Sequence, residues 1–370
     1  MIRSSEHILK FQTDYKSGWL DLLFHDYKQD LQFYIDLLWD KKLPLLKMLS
    51  SKVLPANMLK HSQYKQILYK QASEIIRTNI DKKKTSKPII QKLSIDIDER
   101  LFDIQKSKGF DEFVNLRLPY FEPDKKRAIV IRLPIKYHKH SLKFKDWKRA
   151  GTIKLKESNG NFFVIFTYEK ETPKKKIEGR AIAFDQGYHK LLSSSDFLSY
   201  GDDLEELYVR ISNKKQGSKN FKDLLAERDK KINETINSIN FSNVKQIVIE
   251  RLKSVKFQSK IKLKKRFEQG KITQIEFLRY KKFANKLQRW SYRKVIDKLE
   301  RLCEENGILL TYVDPAYTSQ TCSKCGAIHK SNRAGVIFKC IVCGYETDAD
   351  FNAPVNILHR GAIIPLLQET

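Results

Sequence analysis

The chain has 370 residues, with 71 Lys+Arg against 44 Asp+Glu and a formal net charge of +27. Such a charge draws polyanions and repels basic surfaces, while 41 % apolar and 11 % aromatic residues exclude wholesale disorder. No apolar run approaches the ~20 residues that span a bilayer, and the opening MIRSSEHILKFQTDYK contains no signal-peptide apolar region, so a nucleic-acid protein of a reducing compartment, in two or three domains, is expected at ~150 residues per domain.

In chain order, an edge strand is expected over His7 to Gln12. A helical pattern then runs from Lys16 to about Ile80, with Leu20, Leu23, Phe24, Tyr27, Leu31, Tyr34 and Leu38 at three- and four-residue spacing. Pro44 and Pro55 break it, and the polar run from Asp81 to Pro88 closes it. Trp19, Phe24, Tyr27, Phe33, Tyr34 and Trp39 are core candidates by that spacing, with one or two free to stack on a base. From residue 89 to about 172 short β-branched and aromatic runs alternate with turns. Ala128–Leu133, Thr152–Lys156 and Asn161–Tyr168 read as strands, the last two flanking the hairpin signal Ser158-Asn159-Gly160. Together with the early strand they suggest a small β-barrel into which the helices are inserted.

Pro173-Lys-Lys-Lys176 reads as a basic linker. Two apolar strands follow, each ending on an acid: Arg180–Asp185 and Val244–Glu250. Basic helices are expected over Phe221–Ile239 and Ile275–Asn306, a strand over Ile308–Val313, and a last helix over Ala353–His359 behind Asp348-Ala-Asp350-Phe-Asn352. The basic run Lys253 to Arg266, with Lys256, Lys260, Lys262, Lys264, Lys265 and Arg266, is expected to line a nucleic-acid channel.

Four of the five cysteines form two pairs, Cys322-x2-Cys325 and Cys340-x2-Cys343, with fourteen residues between them. In a large, cysteine-poor chain these read as thiolate ligands of one tetrahedral Zn²⁺ rather than as disulfides. Four thiolates leave no open coordination position, so the zinc is structural. Gly326 and Gly344 permit the left-handed turn that brings backbone N–H groups toward the sulfurs. Cys303, in a helical pattern, is expected to be a buried and inert thiol, and His329 a surface residue.

The string from Asp314 through Cys322-x2-Cys325-Gly326 and Cys340-x2-Cys343-Gly344 to Asp348-Ala-Asp350-Phe-Asn352 resembles the C-terminal signature of the TnpB family. These are RNA-guided nucleases of insertion sequences, related to compact type V CRISPR effectors. Val248-Ile-Glu250-Arg-Leu-Lys253 resembles that family's second RuvC-like motif, and Phe184-Asp-Gln-Gly187 its first. The resemblance covers roughly residues 180 to 360. It implies a multidomain α/β chain. A β-barrel (1–14 and 89–172) would carry an inserted helical lobe (15–88). An RNase H-like, RuvC-like nuclease domain (178–314 and 345–370) would carry a zinc ribbon (315–344) that contacts the target strand. It implies Asp185, Glu250 and Asp350 as a catalytic triad holding Mg²⁺, two ions in a two-metal hydrolysis. Hard carboxylate oxygens suit Mg²⁺.

Asp348 is the rival to Asp350 and otherwise a helix cap. Arg333, between the cysteine pairs, either approaches the scissile phosphate or is a solvated loop residue. The implied partners are a guide RNA, transposon-end-derived or CRISPR-derived, and double-stranded target DNA with a short flanking motif. A monomer in the prokaryotic cytoplasm, associated with the nucleoid and not with membranes, is expected. The chain departs from the family at three places: Ala183-Phe-Asp-Gln-Gly187 for Gly-Ile-Asp-Leu-Gly, Arg251 for Asp or Asn, and Pro354 for Ala. Two alternatives remain: an RNA-guided DNA-binding regulator without useful cleavage, and a compact type V effector.

Overall fold

A computed structural model of the chain describes residues 1–40, 45, 59, 61–122, 127–252, 263–278 and 291–368, with side chains through residue 362. The chain divides into two units, Met1–Glu171 and Thr172–Thr370.

The first unit runs β1 (Ile2–Ile8), α1 (Asp14–Trp39), α2 (Ser62–Asp81), β2 (Ser94–Asp98), β3 (Phe102–Lys106), β4 (Glu112–Phe121), β5 (Ala128–Ile135), β6 (Lys148–Ser158) and β7 (Asn161–Glu169). Its strands pair antiparallel in two sheets, ordered β1-β7-β6-β2 and β3-β4-β5. The β6–β7 hairpin turns on Asn159 and Gly160, at φ 52° and 72°. Two successive left-handed residues match the twist of the flanking strands. β1 pairs with β7 from Ile2↔Glu169 to Ile8↔Phe163, so both helices intervene between β1 and β2.

The early strand therefore lies at Ile2–Ile8 and not at His7–Gln12. Its inward positions are polar, which hid it from an apolar pattern. Ser5 and His7 are buried. They hydrogen-bond each other at 2.8 Å, and the His7 Nδ1 meets the Lys136 carbonyl at 3.2 Å.

In α1 the apolar spacing holds: all seven of its periodic residues are buried. Phe24, Tyr27 and Tyr34 are core, Trp19 and Trp39 are partly buried against it, and Phe33 is exposed. Both helices and both sheets contribute to one hydrophobic core. Pro44 and Pro55 lie outside the described residues.

The second unit runs β8 (Arg180–Asp185), β9 (Leu192–Ser194), β10 (Ser199–Tyr200), α3 (Leu204–Ser212), α4 (Lys219–Ser238), β11 (Val244–Glu250), α5 (Tyr292–Asn306), β12 (Leu309–Val313), β13 (Arg333–Ala334), β14 (Ile337–Lys339), β15 (Glu346–Asp348) and α6 (Ala349–Gln368). A five-stranded sheet has the order β10-β9-β8-β11-β12. β8, β11 and β12 are parallel, whereas β9 and β10 are antiparallel. Parallel strands need cover on both faces, hence their continuous apolar runs. Ile182, Phe184, Ile247 and Ile249 pack with residues of α3, α4 and α5. Ala183, Val248 and Val313 pack on the other face with Ile357 of α6. Gly361 lets α6 lie close to that face, since a Cβ there would meet Val248 Cγ1 at 2.4 Å.

The stretch read as a basic linker is held against this unit. Lys176 N–H donates to Gly307 O at 2.7 Å and Lys175 Nζ to Ile308 O at 2.9 Å. The last helix begins at Ala349, four residues before the expected start. Asp348 starts it, its carboxylate accepting the Asp350 N–H at 2.8 Å as an N-cap does. Pro354 is therefore the sixth helical residue and not part of the first turn. Lacking an N–H, it leaves the Asp350 carbonyl without its helical partner. β13, β14 and β15 form a small antiparallel sheet that leads directly into α6.

Candidate active site and thiol cluster

Asp185 and Glu250 are the last residues of β8 and β11. Those strands are parallel neighbours in register at Phe184↔Ile249, so the two carboxylates leave the same edge side by side. Strand alternation puts Asp185 on the face of Ala183 and Glu250 on the face of Val248. That face is covered by α6, whose first turn carries Asp350. The three acids, 65 and 100 residues apart in sequence, line one cavity of about 310 Å³, together with Lys190, Thr318 and Arg333. A crevice beyond the carboxyl ends of parallel strands is where open α/β sheets take ligands.

The electrostatics follow from this crowding. Burial raises the Asp185 carboxyl above the carboxylate range, and the Asp350 charge adds to it; Arg333 and the Gln186 backbone N–H oppose the rise. Burial likewise raises Glu250, and the Asp185 charge adds to it. The Thr318 hydroxyl opposes this by donating to Glu250 Oε1 at 2.5 Å. Anionic oxygens brought together away from water favour protonation unless a cation compensates. Two cations reach the same edge. Arg333 Nη2 lies 3.4 Å from Asp350 Oδ1, and Lys190 Nζ lies 3.7 Å from Asp350 Oδ2 and 2.9 Å from Asp348 Oδ2. Burial works against ionising Asp348, but the Lys190 contact holds its carboxyl below the ordinary value. Asp348 thus caps α6 and pairs with Lys190, while Asp350 lines the cavity.

Two asparagines tie this edge to the cysteine-bearing segment. Asn352 accepts from Ser323 N–H at 3.0 Å and donates to Thr321 O at 2.8 Å. Asn356, one turn on, donates to Thr318 O and Thr321 O at 3.0 and 2.7 Å. Cys322, Cys325, Cys340 and Cys343 bring their sulfurs within 4.8 Å of one another. Gly326 and Gly344 are left-handed, at φ 77° and 71°, and their N–H groups return to the Cys322 and Cys340 carbonyls. The Cys343 N–H points to Cys340 Sγ at 3.5 Å and, with the Val342 N–H, lowers that thiol's pKa. Four sulfurs so arranged, with none in a disulfide, suit a tetrahedral soft-ligand site such as Zn²⁺. Cys303 stands apart, buried, with its thiol pushed up to about 12 by burial. His329 is exposed.

The departures from the family pattern fall in different places. Gln186 is buried at the cavity wall, and neither end of its amide has a hydrogen-bond partner among the described residues. The exposed Arg251 lies over the Tyr312 ring, 5.6 Å from its centroid, and does not line the cavity. Of the basic run, Lys264, Lys265 and Arg266 are exposed, with Lys264 paired to Glu268 at 3.6 Å. Lys256, Lys260 and Lys262 lie outside the described residues. Lys190 and Thr318 escaped sequence reading because a lone Lys in a loop and a Thr in a polar string carry no spacing signal. Asn356 could have been found as the i+4 partner of Asn352 on one helix face.

Residues 292–357 match the family model of the Cas12f1-like TNB domain. Over 72 residues the chain is 51 % identical to a CRISPR-associated endodeoxyribonuclease Cas12f1 of Sulfoacidibacillus thermotolerans, covering 19 % of this chain and 17 % of the relative. Over 83 residues it is 39 % identical to a TnpB-like protein of Aquifex aeolicus (strain VF5), covering 21 % of this chain and 26 % of the relative. The chain thus matches about a quarter or less of the length of these two curated relatives. In fold it is similar to the protein in a cryo-EM structure of a Cas12f1–sgRNA–target DNA complex. The TM-score is 0.54 at 15 % identity, over 93 % of this chain and 82 % of that one. These matches support the likeness read from the C-terminal motifs: over this region the chain is similar to TnpB-like proteins and to compact type V effectors.

Proposed function

We propose that the chain is an RNA-guided DNA endonuclease of the TnpB and compact type V kind, with Asp185, Glu250 and Asp350 as its catalytic acids. The observation that carries this reading is the meeting of three distant carboxylates at one strand-end cavity. The donor set fits a hard divalent cation: it is all carboxylate oxygen, and burial with a neighbouring acid's charge raises both Asp185 and Glu250. Asp185, Glu250 and Asp350 would hold Mg²⁺, two ions by family analogy. When bound, the metal neutralises charge on the phosphate and makes water acidic enough to serve as nucleophile. Thr318 fixes the Glu250 carboxylate, and Arg333 and Lys190 stand at the rim, where a phosphodiester would enter. Arg333 is then a phosphate-binding helper and not a solvated loop residue. The four cysteines would hold one structural Zn²⁺.

The five-stranded sheet with α6 is read as the RuvC-like, RNase H-like domain (178–314 and 345–370), and residues 315–344 as its target-strand-binding zinc ribbon. The two antiparallel sheets of the first unit are read as the barrel (1–14 and 89–172) and α1 and α2 as the inserted lobe (15–88). These would hold the guide RNA scaffold and read a short motif beside the double-stranded target. Guide pairing would supply sequence specificity. Among the described residues no helix is long and apolar enough to cross a membrane.

The test is direct. Asp185→Ala, Glu250→Ala and Asp350→Ala, made separately, should each abolish cleavage of a guided duplex while the co-purifying RNA stays bound. That RNA, once sequenced, should have one fixed end and one variable end. Parental cutting by all three variants would overturn the site. A parent that binds the guided duplex tightly but never cuts it would make the chain a regulator.

A further inference from the structure

We propose that Phe197, braced by Phe351, is a stacking platform for one nucleobase of a single strand held beside the acidic cavity. This inference rests on the nuclease reading above and deepens it. It starts from a backbone outlier. The reversal between β9 and β10 returns through Ser194 O, which accepts the Phe197 N–H at 3.1 Å, and the Ser194 N–H donates to Leu198 O at 2.8 Å. That geometry puts Phe197 at φ 61°. Glycine or asparagine takes this conformation readily, whereas a bulky residue there is a true outlier. The outlying residue is also an exposed aromatic: Phe197 is 53 % exposed. Backbone strain and solvent-facing apolar surface thus fall on the same side chain, and such outliers gather at sites where function holds them.

The ring has a fixed backing. Its centroid lies 5.9 Å from that of Phe351, at an interplanar angle of 55°. Phe351 follows Asp350 on α6, and Lys190 Nζ sits 4.8 Å from the Phe351 centroid. Lys190 and Asp350 both line the acidic cavity. An aromatic pair therefore leads from Lys190, a residue of the cavity lining, out to solvent. Its occupant should be flat and carried on a polyanion, given the chain's +27 charge. A nucleobase meets both conditions, because every base offers a π face and stacking tolerates any sequence. Stacking there would fix the register of the strand, so that one phosphodiester lies over the three carboxylates.

The experiment uses the full chain carrying Asp185→Ala, so that the probe stays intact. The probe is oligodeoxythymidylate with a single 2-aminopurine moved along its length, at fixed salt. Stacking quenches 2-aminopurine. One probe position should be quenched by the Phe197 parent. Phe197→Gly and Phe197→Ala should lose that quenching and bind the probe about tenfold more weakly. Phe197→Trp should keep both. Phe197→Gly should also melt higher than the parent, since glycine takes the left-handed turn freely. A merely structural phenylalanine would lower the melting temperature and leave the quenching untouched. Quenching unchanged in Phe197→Gly, or absent at every position with the parent, overturns the platform. The signal needs no cleavage, so a chain that stacks but never cuts fails the nuclease reading alone. A chain that cuts through its acids but shows no quenching fails the platform alone.

Discussion

Asp185 and Glu250 end adjacent parallel strands; burial makes both harder to ionise, the Asp350 charge adds to this at Asp185, and the Asp185 charge adds to it at Glu250. A carboxyl whose folded pKa exceeds its unfolded value binds more protons folded than unfolded across that interval. Stability of the metal-free chain therefore falls as pH rises from the ordinary carboxylate range through the raised values, and stays lower above them. Asp185→Asn removes one of the repelling charges. In chelator at pH 8 it should melt above the parent, and near pH 4 the two should melt together. An offset that is the same at both pH values would mean that the acids do not repel one another. Cys303 shows what was readable at this scale: a lone thiol on an apolar helix face is core, and its pKa follows from burial. Lys190 was not readable, because its role comes from meeting Asp348 and Asp350 about 160 residues later.

At the scale of elements, α6 is the part on which the site depends. It supplies Asp350 to the cavity, holds the cysteine-bearing segment through Asn352 and Asn356, and packs on β8 and β11 through a contact that only glycine allows. Gly361→Ala would force a methyl group into Val248. It should destabilise the chain by about 1–3 kcal/mol in urea unfolding, and lower cleavage further than that loss explains, because the helix must lift away from the acids. A variant as stable and active as the parent would mean that α6 has room to spare. The spacing of apolar residues announced α1 from its sequence. It misplaced β1, whose inward Ser5 and His7 are polar and satisfied by each other. It also misplaced the start of α6, expected at Ala353, because Asp348 caps the helix and Ala349 begins it.

For the molecule as a whole, the thiol cluster and the cavity are joined through short segments rather than through a common core. Thr318 touches Glu250, Arg333 touches Asp350, and both belong to the chain around the cysteines. Loss of zinc should therefore silence the proposed nuclease site without unfolding the sheet. The native protein should carry one Zn²⁺ per chain by elemental mass spectrometry. Cys325→Ser with chelator should remove it, abolish cleavage and leave RNA retention unchanged. The main thermal transition should remain while a smaller one disappears. If zinc-free protein still cuts normally, the ribbon does not position Thr318 or Arg333.

The sequence by itself determined what rests on local chemistry: two acids closing apolar strands, four thiols in paired spacing with glycines behind them, a helix of sevenfold apolar rhythm, and a charge that seeks nucleic acid. Periodicity and residue type act over a few neighbours, so a linear reading captures them. Only the tertiary structure decided which of Asp348 and Asp350 faces the cavity, that Thr318 and Lys190 belong to it, and that the exposed Phe197 packs on Phe351, the residue after Asp350. Those facts depend on strand register and on one helix lying against one sheet, and contacts between residues a hundred positions apart leave no pattern in their own neighbourhoods.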